Sequence, residues 1–394
     1  MSNIPKLRFP EFSVEWEEKK LSDFMTRLTR KNSNNESSRA LTISSVDGLI
    51  DQGEFFKKQI ASKDTSGYYL LKKGDFAYNK SYSVGYDYGS IKRLDRYEDG
   101  VVSTLYICMS LTSDTNSDYL THYFDSMKWN KSVSEISAEG ARNHGLLNIP
   151  TEAFFQTKHY LAPSLPEQQK IADFLSNVDS IITAETKILN TLQKKKKALM
   201  QKLFTRQLRF KSADGTDFPA WEEKKLGECV EILDSQRKPI ESKERANRKG
   251  EYPYYGASGI IDYIDDYLFE GESILLGEDG ANIINRNSRL AFIATGKYWV
   301  NNHAHIMKAN ADNLNYFICE YLESLDYSKI CAGSAQPKLT QDVIRNLTIK
   351  APCKAEQQKI ADCLSSLDSL IQTQQKVVTT WQQRKKALLQ QMFI

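Results

Sequence analysis

The chain has 394 residues, 40% hydrophobic and 26% charged, enough apolar material for two to four globular units at roughly 100–200 residues each. Its net charge of +3 is too small to mark a nucleic-acid binder by bulk attraction, so any such contact has to come from local patches. Met1–Lys6 lacks a signal-peptide core, no apolar run nears the ~20 residues of a membrane span, and Cys108, Cys229, Cys319, Cys331, Cys353 and Cys363 form no CxxC, which points to reduced thiols in a cytoplasmic protein with no membrane partner.

The first distinct element is Trp16-Glu17-Glu18-Lys19-Lys20-Leu21, shortly after Phe9-Pro10. A segment of about 22–158 follows that reads as mixed α/β. Leu105–Met109 has the run of a buried strand and Tyr119–Lys128 that of a short helix. At Glu167 the pattern changes. Ile171, Phe174, Leu175, Val178, Ile181, Ile182, Ile188, Leu189, Leu192, Leu199 and Leu203 recur mostly in steps of three and four, with no Gly or Pro inside. That predicts one long helix with a single apolar stripe. Pro166 and Glu167 suit its first turn, and Lys194–Lys197 its C-terminal end.

The chain then starts again. Phe218-Pro219 precedes Trp221-Glu222-Glu223-Lys224-Lys225-Leu226. The segment 227–350 shares little with 22–158, but it too reads as short strands, at Ser273–Leu276 and Leu290–Ala294, and a helix at Leu314–Leu325. Glu356-Gln357-Gln358-Lys359-Ile360-Ala361-Asp362 then repeats Glu167–Asp173. The alignment runs without a gap to Phe204 and Phe393 at an offset of 189, with 21 of 38 positions identical. The second stripe is Ile360, Cys363, Leu364, Leu367, Leu370, Ile371, Val377, Val378, Trp381, Leu388, Leu389 and Met392. Pro352-Cys353-Lys354-Ala355 departs from the first copy's Leu165-Pro166, so the second helix is expected to start slightly differently. The organisation is therefore 1–160 module, 161–206 helix, 207–352 module, 353–394 helix.

A 39-residue helix is ~58 Å long, more than a small module covers. Burial against its own module is the plain alternative. Two equivalent stripes in one chain favour an antiparallel coiled-coil pair, with Leu175, Val178, Ile182, Leu189, Leu192, Leu364, Leu367, Ile371, Val378 and Trp381 as its core. Residues 166–204 carry seven Lys/Arg against four Asp/Glu, and 354–394 six against three, so the remainder sums to −3. The basic clusters Lys194–Lys197 and Arg384-Lys385-Lys386 are either solvated helix ends or phosphate contacts.

Within the modules, three loops mix cations, aromatics, amides and glycines, a blend that can grip phosphates and hydrogen-bond to base edges. The first runs from Tyr78 to Arg93 and offers Asn79, Lys80, Ser81, Tyr82, Ser83, Lys92 and Arg93. The second joins Tyr255 and Ser258 to Gly277-Glu278-Asp279-Gly280-Ala281-Asn282, with Asn282 as its contact. The third, Trp299–His305, offers Asn301, Asn302, His303 and His305. Arg142 and Lys338 complete the candidate DNA contacts. For each loop a capped surface turn is the plain alternative. His303 and His305 lack a third metal ligand at any usual spacing, and Glu278 and Asp279 would point to opposite faces of a strand. No GxxxxGK[ST], GxGxxG or GxSxG occurs. The adenine-methyltransferase tetrad Asn/Asp-Pro-Pro-Tyr/Phe cannot occur, because no two prolines are adjacent. No catalytic residue and no metal site are expected.

Two variable modules, each opened by Trp-Glu-Glu-Lys-Lys-Leu and closed by a helix beginning Glu-Gln-Gln-Lys-Ile-Ala-Asp, resemble the specificity subunit of type I restriction-modification enzymes. Asn79-Lys80-Ser81-Tyr82-Ser83, Gly89-Ser90-Ile91-Lys92-Arg93, Gly277-Glu278-Asp279-Gly280-Ala281 and Asn301-Asn302-His303-Ala304-His305 are similar to that family too. The resemblance implies a mixed α/β fold with two target-recognition domains, separated by two long antiparallel helices and related by an internal pseudo-twofold repeat. It implies that each domain reads one half of a split sequence in double-stranded DNA. The helices would dock two methylation subunits, which bind S-adenosylmethionine and flip out and methylate adenines. Two restriction subunits would add ATP- and Mg2+-dependent translocation and cleavage. This chain itself would bind no cofactor. The competing classes are a coiled-coil adaptor with two protein-binding heads and a self-contained nuclease or methyltransferase.

Overall fold

The computed structural model describes residues 3–45, 47–56, 61–112, 114–137, 147–330 and 337–394. Its contacts gather the chain into two units, Met1–Thr186 with Lys376–Ile394, and Lys187–Gln375. The boundaries read from sequence gave each long helix a segment of its own. The structure divides each long helix between the two units.

In the first unit the strands are β1 (Glu17–Lys20), β2 (Met25–Leu28), β3 (Leu41–Ser44), β4 (Gly48–Asp51), β5 (Tyr69–Lys72), β6 (Phe76–Asn79), β7 (Ser90–Arg93), β8 (Asp99–Val102), β9 (Ile107–Leu111) and β10 (Lys158–Leu161). An antiparallel sheet runs β2-β9-β6-β7, and β5 pairs with β8. The central strands bury Phe76, Ala77, Tyr78, Ile107, Cys108 and Met109, because both of their faces are covered. Helix Ser117–Asp125 is capped by Asn116, whose side chain accepts the Tyr119 N–H at 2.8 Å. Leu105, read from sequence as the start of the buried strand, instead lies in the turn before β9 and is 60% exposed.

The second unit contains β11 (Glu222–Lys225), β12 (Val230–Ile232), β13 (Lys249–Gly256), β14 (Gly259–Ile264), β15 (Phe269–Glu270), β16 (Ser273–Gly277), β17 (Ala291–Ala294), β18 (Lys297–Val300), β19 (Ala304–Ala309) and β20 (Thr348–Ala351). Its main sheet runs β12-β19-β16-β17, the same order by position as β2-β9-β6-β7. A second sheet runs β14-β13-β18-β15, and helix Asn315–Ser324 corresponds to Ser117–Asp125. The two divergent segments therefore share a topology that their sequences do not display.

The long helices are Leu165–Phe204 and Lys354–Met392. They begin at aligned positions, so Pro352-Cys353 shifts nothing. Within each unit they pack antiparallel. Ile171 and Leu175 share a core with Leu389, Met392 and Phe393 in the first unit. Met200 and Leu203 share one with Ile360 and Leu364 in the second. Of the core positions read from sequence, Leu175, Val178, Leu189, Leu364 and Val378 are buried, and Ile182, Leu192, Leu367, Ile371 and Trp381 are half-buried. Ile188 and Leu370, on the same stripes, are exposed. Among the described residues no helix is long and apolar enough to cross a membrane, and the described cysteines are free thiols; Cys331 lies outside them.

The repeated motifs meet in space. β1 pairs antiparallel with β10, Glu17 opposite Leu161, and β11 pairs with β20, Glu222 opposite Ala351. Each opening motif thus lies along the strand that leads into the helix. Glu167, 1% exposed, accepts from Arg8 Nε at 2.7 Å, Arg8 Nη2 at 2.8 Å and Trp16 Nε1 at 3.1 Å. Glu356, fully buried, accepts from Arg209 Nε at 3.1 Å, Arg209 Nη2 at 2.7 Å and Trp221 Nε1 at 3.1 Å. Arg8 and Arg209 also donate to the Val14 and Pro219 carbonyls, so each guanidinium is well satisfied. The next residue repeats the scheme. Gln168 bridges the Asn116 N–H and the Ala162 carbonyl, and Gln357 the Leu314 N–H and the Pro352 carbonyl.

The basic clusters resolve in a way neither reading anticipated. Lys385 pairs with Asp179 at 2.6 Å and lies 3.8 Å from Asp125, which pairs with Lys92 at 2.7 Å. Lys196, buried, pairs with Asp368 at 2.7 Å and Glu320 at 2.9 Å, and Glu320 also holds Arg289. Both lysines and both aspartates occupy equivalent positions of the repeat. One lysine of each cluster therefore clamps the helix pair to the module.

Replacing Glu167 with Ala leaves the Arg8 guanidinium, 8% exposed, without its carboxylate. The expected cost is about 3–5 kcal/mol, read as a lower urea midpoint. Glu167→Gln, which keeps an acceptor for the indole, is expected to cost less. An unchanged midpoint for Glu167→Ala would contradict this account of the clasp.

Candidate functional site

The loops singled out from sequence leave equivalent strands. Residues 80–89 join β6 to β7, and 278–290 join β16 to β17, at one edge of each main sheet. Rigid strands thereby hold irregular, polar segments at a common end of the sheet.

In the first unit, Gly89 with φ +77 lies against the Asn79 carbonyl, where a Cβ would come within 2.0 Å. Only glycine closes the loop this tightly. Asn79 turns back to accept the Ser81 N–H at 3.0 Å, the Lys80 carbonyl accepts from Leu147 N–H, and Ser83 Oγ lies 3.1 Å from Ser45 Oγ of the β3–β4 turn. Asn79, Lys80, Ser81 and Ser83 are half-buried, and Tyr82 projects with 56% exposure.

Lys92 and Arg93 do not project. Lys92 is the partner of Asp125. Arg93 pairs with Asp95 at 2.6 Å and Asp118 at 2.7 Å and donates to Ser117 Oγ at 2.8 Å. Burial works against the Arg93 charge, and Asp118 and Asp95 outweigh it, holding its pKa above the ordinary value. These two cations, read from sequence as DNA contacts, are held in ion pairs that fasten β7 to helix Ser117–Asp125. Arg142 lies outside the described residues.

In the second unit the candidate segments converge. The Glu278 N–H donates to the His303 carbonyl at 2.9 Å, and the Asn301 N–H to the Tyr255 carbonyl at 3.0 Å. The Leu339 N–H donates to the Glu278 carbonyl at 2.8 Å. Gly277 lies so close to the Ala257 carbonyl that a Cβ would reach 2.6 Å. The turn at Ser258, the Glu278–Asp279 loop, Asn301–His305 and Lys338 thus form one surface. Asn302, His303 and Ser258 face solvent on it. His303 Nδ1 pairs with Asp279 at 2.9 Å, and Lys338, half-exposed, lies 3.2 Å from Glu278.

Other residues of this group hold the surface from beneath. His305, 1% exposed, sets Nδ1 at 2.6 Å from Asp234 and Nε2 at 2.8 Å from the Leu339 carbonyl. Asn301, buried, accepts the His303 N–H at 2.8 Å. Asn282 closes its own loop onto Ser288, and Tyr255 stacks on Phe292. His305 and Asn301, both buried, are therefore corrected from direct contacts to supports, whereas Asn282 is half-buried. Sequence reading missed Asp234 and Arg237. Arg237 binds Glu278 at 2.9 Å, and burial opposes the Asp234 charge while His305, the Ile306 N–H and Arg237 lower its pKa. No local motif marks either residue. Among the described residues no group of three His, Cys, Asp or Glu is placed to hold a metal ion.

The model of the type I restriction modification DNA specificity domain matches residues 13–194 and again 220–380. This chain belongs to that family. The specificity subunit of the MjaVIII type I restriction enzyme of Methanocaldococcus jannaschii is 24% identical over 413 residues, covering 97% of this chain and 92% of that protein. A putative type I specificity subunit of Haemophilus influenzae is 35% identical over 147 residues, an alignment that spans 37% of either protein. The crystal structure of the type I S subunit from M. genitalium shares the fold, with a TM-score of 0.60 over 99% of both chains at 14% identity. Specificity subunits of type I systems serve DNA target recognition and are non-catalytic, which excludes the self-contained nuclease or methyltransferase.

The ion pairs sort the specificity chain's candidates. Lys92→Ala and Arg93→Ala are expected to lower stability, by about 1–3 kcal/mol for Arg93, with the salt dependence of DNA binding unchanged. Tyr82→Ala is expected to leave stability within ~0.5 kcal/mol and weaken DNA binding. Melting curves and salt-titrated binding check this. A log–log salt slope reduced by about one in Arg93→Ala would instead make it a phosphate contact.

Proposed function

We propose that this chain reads a bipartite target in double-stranded DNA, two short blocks with a fixed gap, one block by the loops of each unit. What supports the reading is a single arrangement: mounts of the same residues carry, at the same place in the same sheet topology, loops that share no sequence. A duplicated support with divergent tips suits two readers of different sequences.

In this reading Tyr82, Ser258, Asn302 and His303 address base edges, where hydrogen-bonding and aromatic side chains discriminate in the major groove. Lys80 and Lys338 address phosphates and fix register. Two readers on one face of B-DNA have centres about one turn apart, ~34 Å or 10–10.5 bp, which leaves roughly five to eight unread pairs. The long helices dock two methylation subunits, and two restriction subunits complete the complex in the cytoplasm. S-adenosylmethionine, ATP and Mg2+ act on those partners.

Selection from a random duplex library, with the chain co-expressed with its methylation subunits, tests the reading. The expected result is enrichment of two blocks at one constant spacing, with native mass spectrometry giving two methylation subunits per chain. No enrichment would contradict DNA reading, and a one-to-one complex at saturation would contradict the docking.

A further inference from the structure

The turn between β8 and β9, whose Leu105-Tyr106 reads from sequence as the start of a buried strand, shares no residue with Asn301-Asn302-His303-Ala304 in its Ser103-Thr104-Leu105-Tyr106. The strand registers equate the two. Met25, directly after the short helix Leu21–Phe24, pairs with Leu111, and Val230, directly after Leu226–Cys229, pairs with Ala309. On the other side of the same strands, Phe76 pairs with Met109 and Ile274 with Met307. Met109 and Met307 therefore hold the same place. Counting back toward the turn, Ser103 corresponds to Asn301, Thr104 to Asn302 and Leu105 to His303.

A hydrogen bond outside the sheet agrees with this register. Ser103 Oγ accepts the Leu105 N–H at 3.3 Å, as Asn301 Oδ1 accepts the His303 N–H at 2.8 Å. Both turns are closed by a side chain capping the N–H two residues on. In both, the two residues at the tip are exposed, and Leu105 has 60% of its surface in solvent. A single exposed leucine is ordinary. One held at the tip of a side-chain-capped turn, at the sheet end from which the 80–89 loop also departs, is not placed there by packing.

We propose that Thr104 and Leu105 are specificity determinants for the first DNA block, the counterparts of Asn302 and His303 for the second, with Leu105 reading a thymine 5-methyl group. This rests on the DNA-reading proposal above. A leucine cannot hydrogen-bond to a base edge. The one apolar feature that distinguishes bases in the major groove is the thymine methyl.

The test removes the methyl and the leucine separately and together. The complex of this chain with its methylation subunits is titrated with target duplexes in which each thymine of the first block, on either strand, is replaced by uracil. The expected result is a loss of about five- to tenfold, the low end for one base contact, at one thymine for the natural chain and none at that position for Leu105→Ala. Uracil in the second block is expected to weaken Leu105→Ala and the natural chain equally. If uracil is tolerated throughout the first block, or costs both proteins the same, the assignment of Leu105 is overturned while DNA reading stands. If the natural complex shows no preference for any sequence, the DNA-reading proposal fails and this one with it.

Discussion

A buried carboxylate holds each unit together. Glu167 and Glu356 have almost no contact with water, a state that costs a charge several kcal/mol unless it is fully paired. Here each is paired by an arginine and an indole, and it sits in the first turn of a helix, where backbone N–H groups favour negative charge. The three partners come from the N-terminal arm of the unit, the opening motif and the long helix. One interaction thus fixes the strand pair β1–β10 or β11–β20 against the helix start, and the main sheet follows from there. The lysine clamps, Lys385 on Asp179 and Lys196 on Asp368, do the same further along the helices.

These contacts use residues from the ends of each module and from the helices, with one carboxylate, Asp125 or Glu320, from the interior. The interior is otherwise free to vary, and it has varied. What survives between the units is topology: the four-strand order, the edge loop between the third and fourth strands in space, and the capped turn before the strand that carries Met109 or Met307. A sheet anchored at one place can present new side chains at its loop end without rebuilding its mount.

The sequence made some of this legible. The repeat named both mounting motifs, although nothing in it said that they touch. The stripe located the helices and their shared core, because a long apolar face needs an equally long partner. The candidate loops lie where the strands end. What the sequence did not show was how individual charges pair. Lys92 and His305 looked like contacts because their partners, Asp125 and Asp234, lie 33 and 71 positions away in the chain, and Arg93, beside Asp95, because its second partner Asp118 lies 25 away; no local pattern announces a distant carboxylate. Lys196 and Lys385 looked like solvated helix ends for the same reason. The Ser103–Tyr106 turn was hidden because the apolar Leu105 and Tyr106 continue the run of β9, while the place of the turn follows from register.

The central claim is that a fixed mount carries two independent readers. Replacing residues 22–158 with the matching segment of a relative that keeps a carboxylate at the place of Asp125 tests this directly, with methylome sequencing of cells that carry the exchanged chain and its partners. The account predicts that one block of the target changes while the other block and the gap stay as they were. A change in both blocks would contradict it.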